Sequence, residues 1–183
     1  VLLVVALGAA AEWVAHWGQR DHAGVYAGGA GILALASLAL VTANGVEEPA
    51  RAAVVYGVYG TGFLALNARW RRTAAVYLGL ALLLAASLWA LWWKEADFTP
   101  GWATVLAGEA LAFAGVARAL STLGGRRQEW RELAALYHQP LRELAGVTGV
   151  LALVLALSIP GFPTAAAHTA TTGLLAATAF VLA

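Results

Sequence analysis

Glu109 is the residue of this chain whose type and position most clearly allow chemistry. It lies seven residues after Trp102 inside an apolar run, deeper than any other acidic residue of the sequence. Ionisable groups within a membrane span are costly unless they are paired or hydrated, so they are the first candidates for function. The carboxyl group could accept a proton or a cation, pair with a cationic group of another helix, or stay neutral among small residues.

Asn67 and Arg118 are the polar residues that could extend such a site. An offset of 51 residues places them in one column with His16, near the same ends of three predicted helices. Together with Glu109 they could line a polar path. We therefore take Glu109, Arg118 and Asn67 as the candidate buried polar, ion or proton site.

Glu12 and His16 form a second polar pair. They are four residues apart, so a helix would place both on one face, at a spacing that suits a proton pair or two metal ligands. No second Glu-x-x-His or His-x-x-x-His pattern supplies further ligands. Cysteine is absent, which excludes disulfides, thiolate metal sites and cysteine nucleophiles. We predict a hydrogen-bonded interface pair and no metal site.

The elements that must position these residues are membrane-spanning helices. Hydrophobic residues make up 61% of the chain and charged residues only 11%, far fewer charges than a soluble domain carries. The apolar residues fall in runs long enough to cross a bilayer as helices. We predict an all-α polytopic transmembrane bundle, one domain over residues 1–183, with about seven helices near 1–18, 24–43, 51–68, 73–93, 102–122, 141–159 and 166–183.

The distribution of arginine orients these helices. Nine arginines fall in or beside the first, third and fifth connections, whereas the second, fourth and sixth hold one arginine and one lysine. Because short cytoplasmic loops retain positive charge, the odd connections should be cytoplasmic. We expect an integral protein of a bacterial inner membrane, with its first residue outside and its last residue inside. The chain has no methionine and starts and stops within apolar runs, which indicates part of a longer protein.

Tryptophans concentrate near the predicted helix ends, where an indole can bury its ring and keep its N–H in water. The predicted interfacial anchors are Trp13, Trp17, Trp92, Trp93, Trp102 and Trp130. In the segment 126–139, apolar residues including Trp130 and Tyr137 recur at helical spacing among charged residues. We predict a separate amphipathic helix there, lying in the inner membrane interface, with partner docking as the alternative.

An internal repeat relates residues 25–75 to residues 76–126. The two segments align without a gap and share thirteen identical positions, among them Pro49 and Pro100 at the same turn. This pattern indicates tandem two-helix hairpins. Small residues on the helices should allow close packing; these are Gly24, Gly28, Gly31, Gly57, Thr61, Gly101, Gly108 and Gly115.

Three families invite comparison. The stretch Trp89, Trp92, Trp93 and Glu95 resembles the tryptophan-rich haem-handling loop of cytochrome c assembly proteins, with His168 as an outer histidine, although the Gly and the Trp-Asp pair of that motif are missing. Seven spans resemble a retinal protein, but the only lysine is Lys94, outside the last helix. The outer connections are too short for the acidic motifs of multi-span glycosyltransferases. No cofactor is supported by the sequence.

Three functions remain open at this point. The first is a non-catalytic structural or accessory subunit of a membrane complex, or part of a larger repeat protein, in contact with the lipid bilayer and other membrane subunits. The second is a proton- or ion-coupled transporter or channel that uses Glu109. The third is a haem-handling membrane protein with the outer tryptophan-rich loop. We expect no enzymatic activity, and the scattered basic residues give no face for nucleic acid.

Overall fold

The computed structural model describes residues 1–95, 99–125, 128–158 and 165–183, and every side chain in them except those of residues 20, 68–70, 100, 128–129 and 165–168. The described residues form only α-helices and no strand, which confirms the all-α prediction. There are seven, namely α1 (Leu2–His16), α2 (Arg20–Ala43), α3 (Pro49–Trp70), α4 (Thr73–Lys94), α5 (Pro100–Gly124), α6 (Gln128–Ser158) and α7 (Ala165–Leu182).

Local sequence explains several helix ends. Pro49 and Pro100 open α3 and α5, where proline fits because the first turn of a helix needs no backbone N–H partner. Gly18 has a φ of 81° in the turn between α1 and α2, a conformation that glycine adopts without steric cost. Arg71 ends α3 in the left-handed region, with a φ of 52°.

The two helices predicted on either side of Pro140 are a single helix, α6. The prediction of a separate interfacial helix over 126–139 is therefore wrong for the described part of that segment. Residues 126 and 127 lie outside the described residues. Pro140 is buried inside α6 and has no N–H to offer the carbonyl of Leu136. The helix continues nevertheless, because Leu136 and Leu141 pack in one apolar cluster with Val76 of α4.

Neighbouring helices pack in antiparallel pairs, α1 with α2, α3 with α4 and α5 with α6. In addition, α6 contacts α4, and α7 lies against α5. α3 approaches α4 closely at Gly60, where an ideal Cβ would lie 2.9 Å from the carbonyl oxygen of Gly79. The two glycines therefore let the backbones of α3 and α4 touch, as small residues do between membrane helices.

The predicted packing glycines serve this purpose only in part. Gly57 lies against Ala86 of α4. A Cβ would have no atom within 4 Å at five of the others, namely Gly24, Gly28, Gly31, Gly108 and Gly115. The sequence shows where small residues are, but the neighbouring helix decides which of them pack.

In the described part of the chain, three apolar clusters hold the bundle together. The first joins α1, α2, α3 and α4 around Tyr59 and Leu82. The second joins α3, α4, α5 and α6 at the arginine-rich end, around Val76 and Leu141. The third joins α4, α5, α6 and α7 around Leu106. Since α4 contributes to all three clusters, it is the central helix of the bundle.

Four of the described helical segments are long and apolar enough to cross a membrane: Asp21–Ala43, Thr73–Lys94, Gly101–Gly124 and Trp130–Ser158. Leu2–His16 and Thr169–Leu182 are apolar but shorter. α3 has 22 residues but carries Arg51, tyrosines and Asn67 and is not among the four. The chain is thus a helical membrane protein with four candidate spans.

Candidate functional site

Glu109 lies on α5 and faces α4. Its Oε1 atom accepts a hydrogen bond of 2.9 Å from the hydroxyl of Ser87. Its Oε2 atom is buried and has no hydrogen-bond partner in the described part of the chain. The apolar cluster around Leu106 lies on the same stretch of α5. Glu109 is therefore a carboxyl group inside the bundle with one hydroxyl partner.

Asn67 has a different role. It is fully buried at the end of α3, where its Oδ1 atom accepts a 2.8 Å hydrogen bond from the backbone N–H of Arg72. Its own carbonyl oxygen accepts one from the N–H of Arg71. These bonds close the turn into α4, because they satisfy backbone donors just beyond the helix end. Asn67 is thus a turn residue.

Arg118 is exposed on α5, and its side chain makes no hydrogen bond or ion pair with any described residue. Nine residues separate it from Glu109, about 14 Å along a helix axis. No contact joins Glu109, Arg118 and Asn67 in the described structure. A single path through all three is therefore not formed.

Glu12 is partly buried in α1, whereas His16 is exposed. No hydrogen bond joins the two side chains, although the helix places them on neighbouring turns as predicted. Across the described residues, no group of three or more His, Asp or Glu side chains is positioned to hold a metal ion. The two side chains therefore lie on one side of α1 without a hydrogen bond between them.

The predicted tryptophan anchors divide into exposed and covered rings. Trp13 and Trp17 are exposed and stack in a tilted pair with centroids 5.7 Å apart. Trp93 is exposed, and the Nζ atom of Lys94 lies 4.9 Å from the centroid of the Trp93 ring. Trp130 is also exposed. These four suit a membrane interface.

Trp92 and Trp102 instead meet each other edge to face, with centroids 6.4 Å apart. Trp102 is only 4% exposed, and its Nε1 donates to the carbonyl of Glu95. Protein rather than lipid covers this ring. Trp102 therefore links the start of α5 to the end of α4.

Of the residues named for haem handling, Trp89 packs against another part of the bundle. The ring of Trp89 packs on Gly45, where a Cβ would lie 2.5 Å from Cη2 of Trp89. That contact ties α4 to the connection between α2 and α3. The side chain of His168 lies outside the described residues.

Ser87, Tyr77 and Tyr137 are contact residues that the sequence alone does not reveal. A serine or tyrosine in an apolar helix carries no signal for the carboxyl or carbonyl it will meet on another helix. Ser87 bonds Glu109, Tyr77 donates to Glu143, and Tyr137 donates to the carbonyl of Leu64. All three contacts join residues at least 22 positions apart in the sequence.

Known proteins offer no guide to these contacts, because no family model, no curated protein and no solved structure matches this chain.

Proposed function

We propose that this chain is a non-catalytic membrane subunit whose helix α2 binds a transmembrane helix of another subunit. One observation carries the proposal. Gly24, Gly28, Gly31 and Leu35 lie on one side of α2 and are all exposed. No atom lies within 4 Å of where a Cβ would stand on any of the three glycines. We call these four residues the α2 glycine face.

The other side of α2 is already occupied. Ala23, Ala30 and Ala34 are buried, where α2 packs on α1 and on the cluster around Tyr59 of α3. Since the described helices cover only this side, the α2 glycine face is available to a further element.

The internal repeat supports helix packing as the role of this face. In α4, the residues Val76, Gly79, Leu80 and Leu82 are buried. The offset of 51 residues aligns these four with Val25, Gly28, Gly29 and Gly31 of α2. Of these α2 residues, Gly29 is partly buried and the other three are exposed. In the second copy, the equivalents of Gly28 and Gly31 are thus buried, Gly79 against α3 and Leu82 in the cluster around Tyr59, whereas the first copy leaves both glycines exposed.

A transmembrane helix is the occupant that fits such a face. Within the hydrocarbon layer, a binding partner must satisfy its own backbone hydrogen bonds, so a helix is the form it takes. Three glycines along one side let a second helix approach closely and gain van der Waals contact, which is a main source of helix association in lipid. We infer a partner subunit with small residues on its own contact side.

Purification from native membranes tests the proposal. We would isolate the tagged full-length protein in a mild detergent, together with Gly28→Leu and Gly173→Leu variants. Gly173 is a matched control, since it is an exposed glycine of α7 with no atom within 4 Å of a Cβ position. We expect a stoichiometric membrane partner with the wild type and Gly173→Leu, and at least a tenfold loss of that partner with Gly28→Leu.

The melting temperatures of the variants show whether a lost partner reflects a lost contact or an unfolded protein. Both glycines are open, so both isolated variants should melt at the wild-type temperature. Retention of the partner by Gly28→Leu would overturn the proposal. Recovery of nothing but further copies of the chain would also overturn it, because the partner would then not be another subunit.

A further inference from the structure

The contact between Ser87 and Glu109 has the properties of a proton site. Ser87 lies seven residues before the end of α4, and Glu109 lies nine residues after the start of α5, or about 10 and 13 Å from those ends along the helices. Both lie within candidate spans, Thr73–Lys94 and Gly101–Gly124. Their hydrogen bond is therefore well inside the bundle, away from both ends.

The single proton of the Ser87 hydroxyl has two acceptors within reach. Its Oγ is 2.9 Å from Oε1 of Glu109 and 3.2 Å from the carbonyl oxygen of Leu83. When Glu109 is ionised, Ser87 donates to the carboxylate. When Glu109 is protonated, its O–H donates to Ser87 Oγ, and Ser87 donates to Leu83. The pair stays hydrogen-bonded in both states, since a hydroxyl both donates and accepts.

No cation neutralises the carboxylate in the described structure. The other charged residue of α5, Arg118, is about 14 Å away along the axis and lies on the opposite side of the helix. On the helices packed against α5, the titratable and charged residues with described side chains lie toward the ends of the bundle. They are Tyr77 and Lys94 of α4, and Arg131, Glu132, Tyr137, His138, Arg142 and Glu143 of α6.

Glu143 and Lys94 are the closest of these in depth. Lys94 lies seven residues after Ser87, about 10 Å along α4, and its Nζ lies over the exposed Trp93 ring. Ala110 of α5 faces Gly149 of α6, where a Cβ would lie 3.9 Å from the Ala110 Cβ. Glu143 is six residues before Gly149, about 9 Å along α6, and it is already bonded to Tyr77 and Gln139. A charge on Glu109 would thus be both unpaired and buried, which costs several kcal/mol.

We propose that Glu109 and Ser87 form a reversible proton-binding site between α4 and α5. A proton fits this geometry better than a metal ion, because the described residues bring no group of three His, Asp or Glu side chains together. The hydrogen bond between the two residues reverses its direction when the proton binds or leaves. This site is independent of the α2 glycine face.

Infrared spectroscopy of the full-length protein in lipid vesicles tests the site. We expect a carboxylic acid carbonyl band that grows on acidification and is absent from the Glu109→Gln variant, which keeps the shape of the side chain. Ser87→Ala should shift the frequency of this band and its titration midpoint, because the carboxyl loses its partner. Ser37→Ala on α2 is the matched control and should shift neither.

Chemical labelling provides a second readout that needs no variant. Dicyclohexylcarbodiimide enters apolar regions and reacts with protonated carboxyl groups. The extent to which it modifies Glu109, measured by mass spectrometry of the digested protein, should fall several-fold as the pH rises. The midpoint pH of this fall should equal the titration midpoint of the infrared band. The proposal would be overturned if the modification of Glu109 did not depend on pH. It would also be overturned if the difference spectrum between the wild type and Glu109→Gln contained no band that titrates.

Discussion

Single glycines decide how closely the helices of this bundle approach. At Gly60, an added Cβ would meet the Gly79 carbonyl oxygen and Leu83 at 2.9 Å. Two residues further along the same helix, at Gly62, it would meet nothing within 4 Å. The same substitution should therefore have opposite effects at these two positions.

We predict that Gly60→Ala destabilises the protein by about 1–3 kcal/mol, because α3 and α4 must move apart. Gly62→Ala should be neutral or stabilising by up to about 1 kcal/mol, since alanine favours the helix. Unfolding in sodium dodecyl sulfate titrations measures both free energies. Equal effects at the two positions would contradict the close contact between α3 and α4.

The role of a polar residue was the hardest feature to predict from sequence. Glu109 was identified from its depth in an apolar run, and the structure places it inside the bundle. Asn67 was grouped with Glu109 in one candidate polar site, but it closes a turn, because its Oδ1 atom accepts a hydrogen bond from the backbone N–H of Arg72. Sequence gives the depth of such a residue, whereas its partner depends on the packing of other helices.

At the scale of the element, α6 shows how tertiary contacts override a local pattern. Its first half is amphipathic, and proline follows it, which predicts a short helix lying on the membrane. In the structure, Tyr137 donates a 3.0 Å bond to the carbonyl of Leu64 on α3, and Glu143 accepts one of 2.6 Å from Tyr77. An exposed ion pair between Arg71 and Glu132 adds a third link. The first half of α6 is thus bound to α3 and α4.

We expect Tyr137→Phe to lower stability by about 0.5–1.5 kcal/mol, the usual net value of one hydrogen bond. Tyr26→Phe is the matched control, because Tyr26 is exposed on α2 and its hydroxyl has no bond among the described residues. Hydrogen exchange over residues 130–143 should accelerate only in Tyr137→Phe. Rapid exchange of that segment in the wild type would favour a helix lying free in the interface.

The helices themselves were predictable, since runs of apolar residues and the two prolines mark their existence and most of their ends. The pairing of the helices was not. The repeat suggested α2 with α3 and α4 with α5 as units, whereas the closest pairs are α1 with α2, α3 with α4 and α5 with α6. A repeat fixes the period of the chain but not which neighbours share a contact.

At the scale of the whole molecule, the sequence divides its charges unequally between the odd and the even connections. Nine arginines and five carboxylates fall in or beside the odd connections; the carboxylates are Glu12, Asp21, Glu129, Glu132 and Glu143. Arg51, Lys94 and four carboxylates fall in or beside the even connections; these carboxylates are Glu47, Glu48, Glu95 and Asp97. The positive end should face the cytoplasm.

The absence of cysteine makes this orientation simple to measure. We predict that Glu47→Cys reacts with a membrane-impermeant maleimide in intact cells, whereas Gly125→Cys reacts only after the membrane is opened. Both positions are exposed, and they lie at opposite ends of the bundle. The reverse labelling pattern would show that the arginine-rich end is outside.

The central claim is that α2 binds a helix of another subunit through its glycine face. Cross-linking from single introduced cysteines, each carrying a benzophenone, tests it most directly in native membranes. We predict cross-links to one membrane protein from Gly24→Cys, Gly28→Cys and Gly31→Cys, and none from Ala23→Cys or Ala30→Cys on the buried side. Cross-links only to lipid, or equal cross-linking from both sides of α2, would contradict the claim.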